Sequence, residues 1–447
     1  MNRIRLILAC LLATVLAACG GGGSPTTTTT CTIIGSPGVA YSVPATIYAG
    51  TQFSYVQNVA NYLPAPCTGV YTATNLPAGV ALNASTGQIS GSIATAGTTV
   101  ATVTLTASGT SGGVMTGVAN VRFVVAGPVT WSSKTANHGI PLSSQGVVTI
   151  GSTLYAVGSQ VVGNNYVPLM YQSVDGGTTW TNTGKPPPGF ASLLNFRVVS
   201  DDTALYLVGG RTSNALVTSS ANYTYNHDVL RYSPVSGVWS TAAVNPFAIL
   251  PATPLGGREE VGLAWDGIAL YASGGLRQNL ITNAVYRSND SGVSWTLVND
   301  TSSFSLMGHC MMSSKAGTLY IVGGRGFAPV TGSLLTNFTQ VLASGNGGQS
   351  WSVLPVSRPV PSLSVLSSCA AFNGRLYALG GYTPLTTNFS GDVLQSLDGG
   401  LTWNLDLPST VFGQRAAQGM TVLNGNLIVF GGQNAGGQLT DVIQGTP

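Results

Sequence analysis

Six strand-like runs along this chain of 447 residues end in a glycine turn, and a tryptophan follows or completes each cycle. The run ALYLVGG, Ala204–Gly210, is typical of them. The turns lie at Gly158, Gly210, Gly275, Gly324, Gly381 and Gly432, and the tryptophans are Trp180, Trp239, Trp295, Trp351, Trp403 and Trp131. This recurrence predicts a repeat protein in which each cycle is one small unit of short strands.

The two ends of the repeat region are not equivalent. After Gly432 the chain has only a short apolar run, Asp441–Gln444, with no tryptophan, whereas Trp131 precedes the first turn. We therefore predict that the strand containing Trp131 completes the last sheet, because this would join the ends of a ring and cover a sheet edge. The expected fold is all-β, a six-bladed β-propeller over residues 128–447.

Four tight turns share one pattern, in which an aspartate or asparagine stands two residues after a serine. They are Ser173–Trp180, Ser288–Trp295, Ser344–Trp351 and Ser396–Trp403. The turns resemble the Asp-box of sialidases and related propellers, with Asn346 replacing the aspartate in the third, and the period of roughly 50 residues resembles kelch propellers. The aspartate is expected to accept N–H bonds within its own turn, which predicts a structural role.

Residues 33–127 alternate apolar and polar positions between Gly, Pro and Asn, which predicts an immunoglobulin-like β-sandwich. The segment Leu76–Ser108 resembles the immunoglobulin-like domains of bacterial surface proteins, related to cadherin- and dystroglycan-type modules. Some relatives bind calcium through carboxylates, but no carboxylate side chain precedes Asp175, so no metal site is expected. The role we expect for this domain is that of a rigid spacer.

The N-terminus predicts export. Asn2–Arg5 is basic, Leu6–Leu16 is apolar, and Leu16–Cys19 resembles a bacterial lipoprotein box. The resemblance implies a signal peptide over 1–18, a lipid on Cys19 that anchors the protein to a membrane, and a flexible tether over 19–32. Gly20, in place of aspartate, resembles the sorting pattern of outer-membrane lipoproteins facing the periplasm or the exterior. An ordinary cleaved signal is the alternative.

Four cysteines remain after Cys10 and Cys19 are assigned to the signal and the lipid. An oxidising compartment favours a disulfide between Cys31 and Cys67 inside the first domain. Cys310 and Cys369 lie in the first strands of neighbouring repeats. They are either bridged or two buried thiols, and the sequence leaves both alternatives open.

The composition limits the classes of partner and cofactor that we expect. Only 6% of the residues are charged and the net charge is +3, with no basic run beyond the first five residues, so nucleic acid is not an expected partner. Galactose oxidase shares the kelch propeller, but its copper site needs two histidines, two tyrosines and a cysteine cross-linked to one of the tyrosines. This chain has only three histidines and no tyrosine–cysteine arrangement that matches this motif, so copper oxidation is not expected. We expect no cofactor, and we expect a monomer.

The loops after the Gly–Gly pairs and the connections between repeats are predicted to share one end of the propeller, the long-loop face. A ligand site there is predicted to include Arg258, Glu259, Arg325, Tyr382 and Arg415, because aromatic rings stack on sugars and guanidinium groups bind carboxylates. Arg258 and Arg415 are expected to start inner strands near the channel mouth. The alternative is that such arginines bond backbone carbonyls between blades.

The function we predict is binding of a glycan or a protein partner through the long-loop face. A sialidase-like glycoside hydrolase at the same face is the first alternative, with Arg258, Arg325 and Arg415 for a carboxylate and Glu259 or Glu260 as the acidic group. A non-catalytic scaffold in the cell envelope is the second alternative.

Overall fold

The computed structural model describes most of the chain from Val39 onward, with internal gaps. The described residues are 39–43, 47–50, 52–56, 68–108, 114–127, 129–212, 223–247, 257–277, 280–300, 304–314, 316–327, 335–355, 365–383, 388–406 and 412–446. Cys19, Cys31 and Cys67 lie outside them, so the lipid anchor and the first disulfide remain predictions. The described ranges contain no helix with the length and apolar character needed to cross a bilayer.

Two compact units divide the chain, the second beginning at Val125 and also including the short pieces 46–51 and 95–97. The predicted domain boundaries stay predictions. The first seven strands form a four-stranded sheet in the order β1-β7-β6-β3 and a three-stranded sheet in the order β2-β5-β4. They are β1 (Ile47–Tyr48), β2 (Gln52–Tyr55), β3 (Thr68–Thr74), β4 (Val80–Leu82), β5 (Ile89–Ser92), β6 (Gly97–Ser108) and β7 (Val114–Ala126).

The immunoglobulin-like core follows from strict alternation in β6. Ala101, Val103 and Leu105 are buried, and the threonines between them face outward. The rings of Phe53 in β2 and Phe123 in β7 lie 6.0 Å apart, which joins the two sheets through their apolar faces. The predicted immunoglobulin-like β-sandwich is confirmed.

The propeller unit consists of short antiparallel strands. Those of its first half are β8 (Thr130–Thr135), β9 (Ser143–Ile150), β10 (Thr153–Val162), β11 (Asn165–Ser173), β12 (Thr181–Asn182), β13 (Arg197–Ser200), β14 (Leu205–Val208), β15 (Arg211–Thr212), β16 (Thr224–Tyr225), β17 (Val229–Ser233), β18 (Val238–Ala243), β19 (Gly262–Trp265), β20 (Leu270–Ser273), β21 (Leu276–Arg277), β22 (Leu280–Ile281), β23 (Val285–Ser288) and β24 (Thr296–Asn299).

The second half repeats the same succession. Its strands are β25 (Leu306–Met307), β26 (Cys310–Ser313), β27 (Leu319–Val322), β28 (Arg325–Phe327), β29 (Leu335–Asn337), β30 (Val341–Ser344), β31 (Ser352–Val353), β32 (Ser368–Phe372), β33 (Arg375–Leu379), β34 (Tyr382–Thr383), β35 (Asn388–Phe389), β36 (Val393–Ser396), β37 (Asn404–Leu405), β38 (Gly419–Leu423), β39 (Asn426–Asn434) and β40 (Gly437–Thr446).

Six four-stranded sheets occur in the described part of this unit, and we number them as blades 1 to 6 in chain order. Their first strands, β9, β13, β19, β26, β32 and β38, are neighbours in that cyclic order, with β38 returning to β9. Apolar clusters between the sheets hold the blades together; Tyr206, Tyr271 and Tyr377 are fully buried in them. The inner strands therefore surround a central channel.

The last blade takes its outer strand from the beginning of the unit. β8 pairs with β40 in the sheet order β38-β39-β40-β8, and Trp131 lies opposite Gly445. The indole Nε1 donates to Oδ2 of Asp406 at 3.1 Å, and the ring packs edge-on against Tyr377 and Phe412 of the preceding blade region. The predicted completion of the last sheet by the Trp131 strand is confirmed.

The four serine-containing turns lie at the opposite end of the blades from the Gly–Gly pairs, which we name the turn face. In the first turn Asp175 accepts bonds from the amides of Thr178 and Thr179 and from the Thr179 hydroxyl, as expected. Slight burial acts to raise the pKa of Asp175, but these bonds outweigh it and lower that pKa to about 2. Equivalent bonds recur around Asp290, Asn346 and Asp398.

A disulfide joins the first strands of blades 4 and 5. Cys310 in β26 and Cys369 in β32 are bridged, with Cα atoms 5.9 Å apart. Of the two alternatives that the sequence left open, the structure has the bridge.

Candidate functional site

Each chain segment after a Gly–Gly pair forms a hairpin at the long-loop face. In blades 2, 3 and 5 it is a separate two-stranded sheet (β15–β16, β21–β22, β34–β35), and in blade 4 it is part of the sheet β25-β28-β29. In blades 1 and 6 the hairpin is a continuation of β10 with β11 and of β39 with β40. The regions predicted as long loops thus begin as paired strands, which fixes their first residues in place.

A collar of backbone hydrogen bonds surrounds the channel at this face. Two residues before each inner strand of blades 2 to 6 stands a residue with a positive φ between 55° and 61°; these residues are Asn195, Glu260, Gly308, Leu366 and Ala417. The N–H of each of the last four donates to the carbonyl of its counterpart in the preceding blade, at 2.8–2.9 Å. Four of the five are not glycine, so their backbones are strained in this conformation, and the hydrogen bonds of the collar hold them in it.

Glu259 connects blade 3 to blade 2 just outside the collar. Its carboxylate is 2% exposed and accepts from Nδ2 of Asn195 at 2.7 Å and from Nη1 of Arg211 at 3.2 Å. Burial raises the pKa of Glu259, and Arg211 and Asn195 oppose this rise. The guanidinium of Arg211 also lies 4.1 Å from the ring centroid of Tyr223. Asn195, Glu259 and Arg211 thus form a hydrogen-bonded polar cluster, and the ring of Tyr223 lies beside it.

The carboxylate of Glu260 is in a less favourable electrostatic environment than that of Glu259. Burial and the neighbouring Glu259 raise the pKa of Glu260 to about 7, although Arg197, Arg211 and Arg325 lower it. Its Oε2 is buried and has no hydrogen-bond partner among the described residues. Gly308 leaves the space, since a Cβ there would lie 2.9 Å from this oxygen. The Oε2 atom is therefore a buried acceptor without a donor among the described residues.

The central channel lies on the axis beneath the collar and has a volume of about 300 Å³. It is lined by the inner strands of all six blades, including Arg197, the disulfide cysteines and Ser368. His309 also borders it, with Nε2 2.8 Å from the Ser273 hydroxyl. Burial and Arg197 lower the pKa of His309 to about 3, so the imidazole is neutral.

Arg258 and Arg415 are placed differently from our expectation. Both are buried, 6% and 3% exposed, and neither borders the channel. Arg258 donates to the carbonyls of Phe247 and Gly274. Arg415 donates to those of Phe412 and Gly431 and binds both oxygens of Asp441 at 2.9 Å. The physical reason is that buried guanidinium groups satisfy the carbonyls of the connections that enter each blade, as in the alternative we considered.

Arg325 and Tyr382 are half-buried at the long-loop face. Each directly follows a Gly–Gly pair, as Arg211 does, so the three occupy equivalent positions in blades 4, 5 and 2. The ring of Tyr382 packs against Phe389 on the paired strand, with centroids 4.9 Å apart. The structure thus brings Glu259, Arg325 and Tyr382 to the rim of the collar, and their role in ligand binding stays a prediction.

The sequence analysis missed Asn195 and Arg211 as site residues. The repeat itself carried a signal for Arg211, because it stands in the same place after Gly–Gly as Arg325 and Tyr382. Asn195 had none, since its side chain meets Glu259 only through the contact between two blades. The described residues hold no group of three His, Cys, Asp or Glu side chains placed to bind a metal ion.

Comparison with known proteins agrees with this architecture. The family model of immunoglobulin-like He_PIG domains matches residues 36–126, and the Kelch motif model matches residues 192–243. The protein is an immunoglobulin-like domain followed by a kelch propeller. The kelch propeller YjhT is a structural neighbour, with a TM-score of 0.53 and 16% identity, covering 70% of this chain and 97% of YjhT.

Curated relatives carry the same kelch repeat. Kelch domain-containing protein 3 of Rattus norvegicus is 24% identical over 317 residues, covering 64% of this chain and 76% of the relative. The Homo sapiens protein of that name is 23% identical over 312 residues, with the same coverage. These similarities support the kelch propeller fold.

Proposed function

We propose that this protein is a lipid-anchored component of the bacterial cell envelope whose kelch propeller binds a glycan or a protein partner at the long-loop face. The observation that carries the proposal is the rim of the collar, where Arg211, Arg325 and Tyr382 occupy equivalent positions on fixed hairpins. A rigid backbone that presents a different side chain from each blade is a suitable recognition surface.

The chemistry of the rim suits a ligand with flat apolar faces and hydrogen-bonding groups. The Tyr223 ring lies against the guanidinium of Arg211, and the rings of Tyr382 and Phe389 pack together at a tilt of 41°. Sugar rings stack on such surfaces, and peptide side chains pack against them, while the guanidinium edges donate to carbonyl or carboxylate oxygens. Binding of a ligand requires no cofactor.

Export is supported by the disulfide between Cys310 and Cys369, because such bridges persist in oxidising compartments. It accords with the lipoprotein box at Leu16–Cys19, which implies an anchor in the outer membrane. Metabolic labelling with a clickable palmitate tests the anchor: we expect label on the wild-type protein and none on Cys19→Ala.

The experiment for binding is a glycan array together with crosslinking to isolated cell envelopes. We expect a signal from the wild-type ectodomain that is lost in Arg325→Ala/Tyr382→Ala. The matched control is Arg231→Ala in β17, which lies away from the rim and should leave the signal unchanged. A signal that survives the double substitution would exclude this rim as the binding surface.

The sialidase-like alternative has a direct test. Glu259 is engaged by Asn195 and Arg211, and Arg258 and Arg415 are engaged by carbonyls, so the geometry favours binding over glycoside hydrolysis. Turnover of a fluorogenic sialoside that disappears in Glu260→Gln would establish the hydrolase instead.

A further inference from the structure

Arg197 is the charged side chain that borders the channel within the described part of the protein. It begins β13, the inner strand of blade 2. At the same level in the other five inner strands stand Gly146, Gly262, Cys310, Ser368 and Gly419, each opposite the residue that precedes its glycine turn. One long cationic side chain therefore stands in a ring of small residues.

The small residues at this level reflect the close approach of the inner strands. A Cβ at Gly146 would lie 2.3 Å from Val198, and one at Gly419 would lie 2.7 Å from the backbone of Val147. Arg197 is a lining residue of the channel at this level.

Burial lowers the pKa of Arg197, and the charge that opposes this change is that of Glu260. The hydrogen bond of the Arg197 guanidinium within the described structure is a long one, from Nη1 to the adjacent carbonyl of Phe196 at 3.4 Å. No carboxylate of a described residue lies within 4.0 Å of it. By contrast, Arg258 and Arg415 each have two or more partners. Arg197 therefore has few hydrogen-bonding partners within the described residues, and an anion in the channel would supply a closer charge partner than Glu260.

We propose that the channel is a binding site for a small anion, a carboxylate or a phosphate, held by the guanidinium of Arg197. The cavity of about 300 Å³ accommodates such a group, and the hydroxyl of Ser367 on its wall has no hydrogen-bond partner among the described residues. This site lies inside the ring rather than on its rim, so the inference does not depend on the proposed function.

Glu260 couples this site to pH. The charged groups that act on its carboxylate are Glu259, which raises its pKa, and Arg197, Arg211 and Arg325, which lower it. An ionised Glu260 competes with the anion for the field of Arg197, whereas a protonated Glu260 does not. Anion binding should therefore weaken as the pH rises through about 7, and Glu260→Gln should remove most of this weakening.

Arginine modification by phenylglyoxal, read at each residue by mass spectrometry, tests the proposal on the whole mature protein. Arg122 is exposed and serves as the reference for reagent activity, and Arg258 and Arg415 serve as buried references. We expect acetate or inorganic phosphate to slow modification of Arg197 about tenfold at ten times its dissociation constant, without slowing Arg122.

Thermal unfolding provides the second measurement. Acetate or phosphate should raise the melting temperature of the wild-type protein, and Arg197→Gln should abolish that rise, while the exposed control Arg122→Gln retains it. If trigalacturonic acid protects Arg197 and the free anions do not, the acidic group belongs to a larger ligand that enters the channel. Equal modification of Arg197 with and without all three compounds would overturn the proposal.

Discussion

The turn face and the long-loop face of the propeller differ in what they repeat from blade to blade. At the turn face, four turns repeat the same hydrogen bonds around Asp175, Asp290, Asn346 and Asp398. At the long-loop face the backbone repeats, but the side chains it presents differ from blade to blade. The difference teaches that repeated side chains mark architecture here, whereas a repeated backbone with varied side chains marks recognition.

The largest expected effect on stability separates two arginines at the long-loop face, one that supports the fold and one that is presented at the rim. Arg415→Ala should lower the free energy of unfolding by about 3 kcal/mol, because it leaves Asp441 and two buried carbonyls without a donor. Arg325→Ala, the matched variant at the rim, should change it by less than about 0.5 kcal/mol. Urea denaturation measures both, and equal losses would remove the distinction between supporting and presenting arginines.

A turn substitution should have the next largest effect. Asp175→Ala removes the acceptor for two amides and two hydroxyls and should cost about 1–2 kcal/mol, as loss of a capping residue does. Asp175→Asn should cost less, because Asn346 already fills the equivalent position with its own amide-mediated bonds. Thermal unfolding of the two variants checks this order, and the reverse order would contradict a structural role for the turns.

A pH-dependent effect should come from Glu260. Because its pKa in the folded protein is raised from 4.5 to about 7, its protonated form stabilises the fold below pH 4.5, and this contribution is lost as the pH rises through about 7. The stability of Glu260→Gln relative to wild type should therefore be greater at pH 8 than at pH 5, by on the order of 1 kcal/mol after solvent screening. Denaturation at both pH values tests this, and a constant difference would contradict it.

A small effect on stability should accompany the largest effect on binding. Tyr382→Ala removes a half-buried ring whose partner is Phe389 and should cost about 0.5–1 kcal/mol. The same substitution should abolish binding to the glycan or envelope partner found in the array and crosslinking experiments. A stability loss of several kcal/mol with binding intact would place Tyr382 in the architecture instead.

Sequence reasoning reached the architecture because its determinants are local. The Gly–Gly turns and the serine-to-tryptophan turns are contiguous motifs, and the missing tryptophan after Gly432 pointed to Trp131. It did not reach the hairpins, since pairs such as Arg211–Thr212 with Thr224–Tyr225 are too short to show a period. Sequence reasoning did not predict the collar, because Asn195 and Glu260 adopt a positive φ and neither is a glycine, the residue type that would indicate such a conformation.

The candidate site was predicted in part for the same reason. The sequence pattern predicted that arginines, a glutamate and a tyrosine lie near the long-loop face. It did not show which arginines donate to backbone carbonyls and which keep their donors for a ligand, because burial in the folded protein determines this. Burial lowers the pKa of both Arg258 and Arg197, but Arg258 donates to two carbonyls whereas Arg197 has one long hydrogen bond. The contact of Asn195 with Glu259 joins segments far apart in the chain, and no local pattern reports it.

The pairing of β8 with β40 has a consequence for the order of events when the chain folds. The first strand of the ring has no partner until the last ten-residue strand, Gly437–Thr446, has been made and delivered. Closure over such a long loop adds little to the free-energy cost, because that cost rises only by about 0.6 kcal/mol for each doubling of length, but it is slow. A prematurely terminated chain would carry two bare strand edges, so the ring cannot be assembled from an incomplete copy and each truncated product is a natural target for proteolysis.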